Sequence, residues 1–168
     1  MHHIILAKLE TGRDALYPPF GILYVANALE RAGYKVTIFN EVGNERNIQR
    51  LLEITAKIDP LFIGFSTMTG SQLIPTVKAS GFIKQEISNL PIVWGGIHPT
   101  ILPEQCLTEV FVDTVVIGEG EETTVELADA LRNKRTLSQI KGLGYKEKGN
   151  IRINELRDFI DLDHCSAS

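Results

Sequence analysis

The chain alternates short apolar runs with segments whose apolar residues recur at helical spacing. Five runs rich in β-branched residues are typical of buried strands, at residues 3–9, 35–40, 61–66, 91–95 and 113–117. Strands that alternate with helices form βαβ units, whose right-handed crossovers keep the strands parallel. The sequence therefore predicts an α/β fold of the flavodoxin-like (Rossmann-like) class, with a doubly wound five-stranded parallel sheet in the order 2-1-3-4-5.

Capping and breaking residues mark the helices between these strands. Pro18 and Pro19 precede the first helix and Gly33 follows it, in keeping with the preference for proline at the start of a helix and glycine just beyond its end. Asn44 is a candidate N-cap of the second helix, which Pro60 ends. The other helices are predicted from about residue 70 to 88, as a short segment after residue 103, and from residue 121.

The pattern changes after residue 137. Two β-rich segments, 142–147 and 150–154, flank Lys148 and Gly149, which is typical of a β-hairpin. The segment after them is short, polar and acidic. We therefore expect an α/β domain at 1–137, a C-terminal β-hairpin extension at 138–155, and a linker or truncated tail at 156–168.

Composition argues against several classes of protein. The formal net charge is −4 without any cluster of Lys or Arg, so we expect no nucleic-acid partner. No apolar run approaches the roughly 20 residues of a membrane helix, and the amino terminus lacks the pattern of a signal peptide. We therefore expect a cytoplasmic protein without a membrane partner. Cys106 and Cys165 have no metal-ligand spacing, so they are interpreted as reduced structural thiols.

Glycines and hydroxyl residues dominate the loops that follow strands one, three, four and five. These loops gather at the carboxyl edge of a parallel sheet, where ligands bind. Many neutral hydrogen-bonding groups and few charges suit a large ligand edged with amides better than a polyphosphate. For any single loop, helix capping and turn geometry explain the same residues equally well. The candidate ligand-binding residues are Pro19, Phe20, Gly21, Ser66, Thr67, Met68, Thr69, Gly95, Gly96, His98, Pro99, Thr100, Gly118, Glu119, Gly120 and Glu121.

His98 is the side chain in these loops that could bind a metal or move a proton near neutral pH. A lone histidine makes a poor metal site, so a contact with a cofactor tail is favoured over metal ligation. The alternative is that His98 packs within the loop, with its backbone held extended by Pro99. Glu119 and Glu121 are interpreted as partners of a helix dipole or acceptors for ligand groups. We therefore expect neither a catalytic residue nor a metal ligand in this chain.

Four segments in this order resemble the N-terminal cobalamin-binding domain of the cobalamin-dependent radical S-adenosylmethionine enzymes. They are Pro18-Pro19-Phe20-Gly21, Ile63-Gly64-Phe65-Ser66, the stretch from Gly95 to Glu104, and the stretch from Val116 to Glu121. The resemblance covers nearly the whole chain. It implies cobalamin across the carboxyl edge of the sheet, with Gly95, Gly96, His98, Pro99 and Thr100 along the nucleotide tail, Ser66, Thr67 and Met68 below the corrin, and Gly118, Glu119 and Gly120 as the far wall.

We expect the nucleotide tail of cobalamin to approach the backbone closely at Gly96. A side chain at Gly96 would occupy the tail groove. We therefore expect Gly96→Val to weaken cobalamin binding without unfolding the domain.

Two motifs of related proteins are missing from the chain. There is no Asp-x-His-x-x-Gly motif to place a histidine under cobalt, so the resemblance implies a base-off cobalamin without a protein imidazole. There is no Cys-x-x-x-Cys-x-x-Cys motif for the iron-sulfur cluster that cleaves S-adenosylmethionine, and such a cluster needs three thiolates. The cluster, S-adenosylmethionine and the reaction are therefore assigned to a radical SAM barrel in the same or another chain, in a methyltransferase-like or rearranging enzyme.

Two alternatives of other classes stay open at this point. The domain could have lost cobalamin and serve as a protein-interaction or docking module. It could instead be a flavodoxin-like carrier of FMN, because the predicted fold alone does not decide function. Colour distinguishes them, since a cobalamin protein is pink to orange and a flavoprotein is yellow.

Overall fold

The computed structural model describes residues 2–12 and 18–158. Within them, the strands form one seven-stranded sheet in the order β2-β1-β3-β4-β5-β6-β7. The first five strands pair in parallel, so the predicted order 2-1-3-4-5 is confirmed. The strands are β1 (His3–Glu10), β2 (Lys35–Val42), β3 (Ile63–Ser66), β4 (Ile92–Gly95), β5 (Thr114–Val116), β6 (Leu143–Glu147) and β7 (Asn150–Ile153).

The predicted C-terminal hairpin extends the sheet. Strand β6 pairs antiparallel with β5, with Thr114 opposite Tyr145, and β7 pairs antiparallel with β6. The turn residues Lys148 and Gly149 have φ of 50° and 80°, as a tight type I′ hairpin turn requires. The parallel sheet therefore ends in two antiparallel strands, a junction that the sequence pattern did not predict.

Six helices lie between the strands of the described residues: α1 (Phe20–Arg31), α2 (Glu45–Ile58), α3 (Leu73–Glu86), α4 (Ile97–Ile101), α5 (Pro103–Thr108) and α6 (Glu121–Arg132). The side chain of Asn44 caps α2 by accepting a hydrogen bond from the backbone N–H of Asn47 at 2.9 Å. Helix α2 ends at Asp59, whose φ of 50° is left-handed. Helix α4 was not predicted, and it directly follows β4 at the carboxyl edge of the sheet.

The helices cover both faces of the sheet. On one face, α2, α3 and α5 pack over Phe65 and Trp94. On the other face, α1 and α6 pack over Leu6, Phe62 and Val93. Successive residues of β1 alternate between these two cores, as the period of two in a strand requires. The sheet is therefore buried on both sides, and its carboxyl edge is left for the connecting loops.

The chain after the hairpin returns to α6. The guanidinium of Arg157 lies 2.6 Å from the carboxylate of Glu122 and 2.9 Å from that of Glu126, and its Nε donates to the hydroxyl of Thr123. The first residues of the predicted linker at 156–168 therefore lie against this helix, while residues 159–168, with Cys165, lie outside the described part. No described helix is long and apolar enough to cross a membrane.

Candidate functional site

A cavity of about 270 Å³ lies between the sheet and helices α1 and α6. Two glycines open it. In the register of β3 and β4, Gly64 pairs with Val93 and Ser66 pairs with Gly95, so all four residues lie on the face toward these helices. A Cβ placed on Gly95 would have Val116 at an ordinary 3.8 Å as its nearest neighbour. Gly95 therefore leaves space at the end of β4, and Gly64 leaves room that the end of the Leu6 side chain partly fills, 3.0 Å from a Cβ built there.

The cavity is apolar in its depth and polar at its mouth. Its apolar walls are aliphatic and aromatic side chains from the sheet and from α1: Leu6, Phe62 and Val93 below the strand ends, and Ile22, Val25 and Val116 nearer the mouth. Its mouth is formed by residues that end a strand or follow it: Ser66, Gly96, Gly118, Glu119, Gly120 and Glu121. Such a gradient suits a ligand with an apolar end and a polar connection to solvent.

Two hydroxyls and an imidazole join the loops after β3 and β4. Thr67 is buried, and both its N–H and its hydroxyl donate to the carbonyl of Gly95, at 2.8 and 3.1 Å. The backbone N–H of His98 donates to the carbonyl of Thr67 at 3.2 Å. The hydroxyl of Thr69 lies 3.2 Å from Nδ1 of His98. These bonds fix the shape of one side of the mouth.

Thr100 joins the loops after β4 and β5. Its hydroxyl donates to the carbonyl of Gly96 at 2.8 Å and accepts the backbone N–H of Gly118 at 3.0 Å. One side chain therefore connects both loops at the cavity mouth. Because a preformed site need not order its loops when ligand binds, this bridge favours tight binding.

The backbone conformation at residue 96 requires a glycine. Its φ is +98°, and a Cβ there would lie 2.7 Å from the carbonyl oxygen of Thr67. A valine at this position would push the two loops apart and strain the backbone. The side chain of Gly96→Val would therefore meet the neighbouring backbone as well as the cavity, so weaker cobalamin binding by this variant would not by itself locate the tail.

His98 lies behind the mouth. It is only 5% exposed and belongs to α4, so the alternative of an extended loop backbone before Pro99 is wrong. Pro99 is buried in the same helix. Among the residues expected along a nucleotide tail, Gly95 and Gly96 line the cavity, whereas His98 and Thr100 hold the surrounding loops together.

The other predicted site residues lie around the same opening. Gly21 lines the cavity where α1 begins, next to Pro19, which caps that helix, and the exposed Phe20. Met68 and Thr69 are exposed after β3. Prediction from the sequence missed the cavity's apolar walls, although glycines on two neighbouring strands, Gly64 and Gly95, were a signal for them.

The charged side chains in the described part of the mouth are carboxylates. Glu119 and Glu121 line the cavity, and none of the described residues that line it is basic. The Oε2 atom of Glu121 is buried and makes no hydrogen bond to any described residue. An acceptor in this position favours a ligand that donates hydrogen bonds, such as an amide or a hydroxyl group.

Titratable groups elsewhere do not add a reactive centre to this edge. Glu10 is fully buried at the end of β1, where the ammonium of Lys8 lies 2.5 Å from its Oε1 and Gln72 donates to its Oε2. Burial raises the pKa of the Cys106 thiol to about 11, so this cysteine stays protonated at neutral pH. The described residues contain no group of His, Cys, Asp and Glu that could hold a metal ion.

An apolar collar surrounds the mouth. It consists of exposed side chains at the start of α1, after β3 and along α4: Phe20, Tyr24, Met68, Ile97, Ile101 and Leu102. Phe20 and Tyr24 are 65% and 64% exposed. Large apolar residues concentrated at one edge mark a surface that binds a ligand or a partner.

Residues 11–128 match the family model of the B12 binding domain. The chain belongs to the B12-binding domain family. The resemblance to the cobalamin-binding domain of radical S-adenosylmethionine enzymes is thereby confirmed.

Relatives of this B12-binding domain are longer proteins. An uncharacterised methyltransferase of Pyrococcus horikoshii is 35% identical over 144 residues, which cover 85% of this chain and 31% of the relative. An anaerobic magnesium-protoporphyrin IX monomethyl ester cyclase of Synechocystis is 31% identical over 139 residues, 80% of this chain and 27% of the relative. The chain therefore spans less than a third of these relatives.

The fold also matches a solved structure. OxsB, a cobalamin-dependent S-adenosylmethionine radical enzyme with aqua-cobalamin and S-adenosylmethionine bound, superposes with a TM-score of 0.80 at 20% identity. The match covers 95% of this chain and 23% of OxsB. At this identity the likeness establishes the fold of the domain.

Proposed function

We propose that this B12-binding domain holds base-off cobalamin for a radical SAM methyltransferase-like or rearranging enzyme, with no protein histidine under cobalt. The observation that carries the proposal is the cavity of about 270 Å³ that opens at the carboxyl edge, among the glycine loops. It has room for a nucleotide base but not for a corrin ring. The cavity would therefore take the tail, and the collar outside it would face the corrin.

The residues around the mouth fit such a ligand. The collar offers apolar contact to a large flat ring, and Ser66, Met68 and Thr69 lie where the ring's lower face would rest. The Oε2 atom of Glu121, to which no described residue donates a hydrogen bond, can accept one from an amide or a ribose hydroxyl. Gly95 forms the floor on which a tail can approach the sheet closely.

The surroundings of His98 support the proposal that no protein imidazole binds cobalt. Its ring is buried, and its Nδ1 lies within hydrogen-bond distance of Thr69. These contacts engage the imidazole within the protein and give it a positioning role in the two loops. We therefore assign no axial ligand to this chain.

When bound, cobalamin supplies a methyl group or acts as a redox partner for a substrate held by another domain. The chain's residues bind and orient this cofactor, and we assign S-adenosylmethionine and the iron-sulfur cluster to a radical SAM barrel in the same or another chain. The apolar collar would be covered by cofactor and barrel together. This division is consistent with the longer relatives, of which the chain matches less than a third.

The FMN alternative is disfavoured by charge. A flavin phosphate carries negative charge, and the described cavity walls offer it the carboxylate of Glu121 and no basic residue. Like charges repel. The docking alternative is compatible with the exposed collar, but it leaves the cavity without a role.

A graded series at Gly95 tests the proposal. Gly95→Ala should retain most of the cobalamin binding, because its Cβ makes only an ordinary contact at 3.8 Å. Gly95→Leu should reduce affinity at least tenfold, because its side chain fills the cavity. Binding is measured by titration with hydroxocobalamin, and circular dichroism checks that each variant is folded. Equal affinity across the series would contradict the placement of the tail.

A further inference from the structure

We propose that the cavity selects among cobamides by the chemistry of the lower base. It favours a benzimidazole-type base, which has no exocyclic hydrogen-bonding group, over an adenine-type base. This inference rests on the proposed function, since it assigns the cavity to the nucleotide tail. It concerns a property of the site that the family match does not specify.

The described residues that line the depth of the cavity below the strand ends carry apolar side chains. Leu6, Phe62 and Val93 line its lower part, at positions that lie below the strand ends, and they are buried within the core under α1 and α6. The backbone there is occupied, because β3 pairs with both β1 and β4, and β4 pairs with both β3 and β5. A base that reaches this depth therefore meets the side chains of Leu6, Phe62 and Val93.

Two polar side chains of the site lie nearer the cavity mouth than these apolar residues do. Ser66 ends β3 and Glu121 begins α6, so both stand at the mouth. Thr124 also lines the cavity from the first turn of α6, and its hydroxyl oxygen lies 3.6 Å from a Cβ built on Gly120. Ser66 and Glu121 can bind the ribose end of a tail, and both lie nearer the strand ends than Leu6, Phe62 and Val93 do.

An adenine-type base would lose hydration in this environment without compensation. Its exocyclic amine and additional ring nitrogens form hydrogen bonds in water, and a buried polar group without a partner is strongly disfavoured. A dimethylated benzimidazole instead presents methyl and C–H groups to the apolar walls. We expect roughly tenfold to hundredfold tighter binding of the benzimidazole form, the range that one unsatisfied buried group produces.

A panel of three corrinoids tests this inference on the wild-type chain. Cobalamin, its adenine-base analogue pseudocobalamin, and cobinamide, which lacks the nucleotide, are titrated under identical conditions. The expected order of affinity is cobalamin first, with pseudocobalamin at least tenfold weaker. Equal affinity for cobalamin and pseudocobalamin would overturn the selectivity while leaving the proposed function intact. Binding of none of the three would overturn the proposed function itself.

A matched pair of variants locates the selectivity. Val93→Thr places a hydroxyl of nearly the same shape at the bottom of the cavity, so the preference for cobalamin should shrink at least threefold. Val115→Thr introduces the same change in the opposite core of the sheet and should leave the preference unchanged. An unchanged preference in folded Val93→Thr, or an equal loss in both variants, would contradict the assignment of this wall to the base.

Discussion

Two adjacent glycines have different roles at the mouth of the cavity. Gly95 ends β4 with ordinary space at its Cβ position, whereas Gly96 has a φ of +98° and faces the carbonyl of Thr67. Gly95 therefore creates room for a ligand, and Gly96 allows two loops to come together. A sequence shows both simply as glycine, so their roles could not be distinguished before the register and dihedrals were known.

This contrast predicts different effects on stability. Gly96→Ala should lower the free energy of unfolding by about 1–3 kcal/mol, because the residue is forced into a disfavoured conformation against a backbone oxygen. Gly95→Ala is the matched control and should change the free energy of unfolding much less. Urea denaturation measures both. Equal destabilisation of the two variants would refute the distinction.

At the scale of elements, the main strands were predictable and the short helix α4 was not. Apolar runs that alternate with helical periodicity, together with right-handed crossovers, leave few sheet orders. Pro99 favoured an extended interpretation of the segment after β4. In the structure Pro99 is the third residue of α4 (Ile97–Ile101), within the first turn, where a proline is tolerated because no intrahelical bond needs its N–H.

The apolar walls of the cavity were not predicted from the sequence, although Gly64 and Gly95 on neighbouring strands were a signal for them. In the sequence these walls look like ordinary core residues: Leu6, Phe62 and Val93. They line a cavity because α1 and α6 pack over two positions that are glycine. The mouth was easier to predict, because its loops follow strands whose carboxyl ends meet at one edge.

The bridge from α4 to the loop before α6 depends on one hydroxyl. Thr100→Val keeps the shape of the side chain but removes the bonds to Gly96 and Gly118. Hydrogen exchange of the Gly118 amide should become roughly threefold to tenfold faster, and cobalamin should bind more weakly. Thr100→Ser restores the hydroxyl and should restore both properties. Slow exchange in the valine variant would show that the loops are held by other contacts.

At the scale of the whole molecule, the domain places its binding features at one end. The glycine loops, the cavity and the apolar collar share the carboxyl edge, while the hairpin extends the sheet at β5 and the segment after it returns to α6 through Arg157. This arrangement leaves the collar uncovered by any described element. A cofactor held here would therefore have one face on this domain and the other free for a partner barrel.

The first measurement is the visible spectrum of the chain after mixing with hydroxocobalamin and gel filtration. We expect the corrin to stay with the protein and to show a base-off spectrum, which His98→Ala leaves nearly unaltered because the buried imidazole is engaged with Thr69. A colourless protein peak, a base-on spectrum, or a spectrum that changes clearly in folded His98→Ala would contradict this expectation.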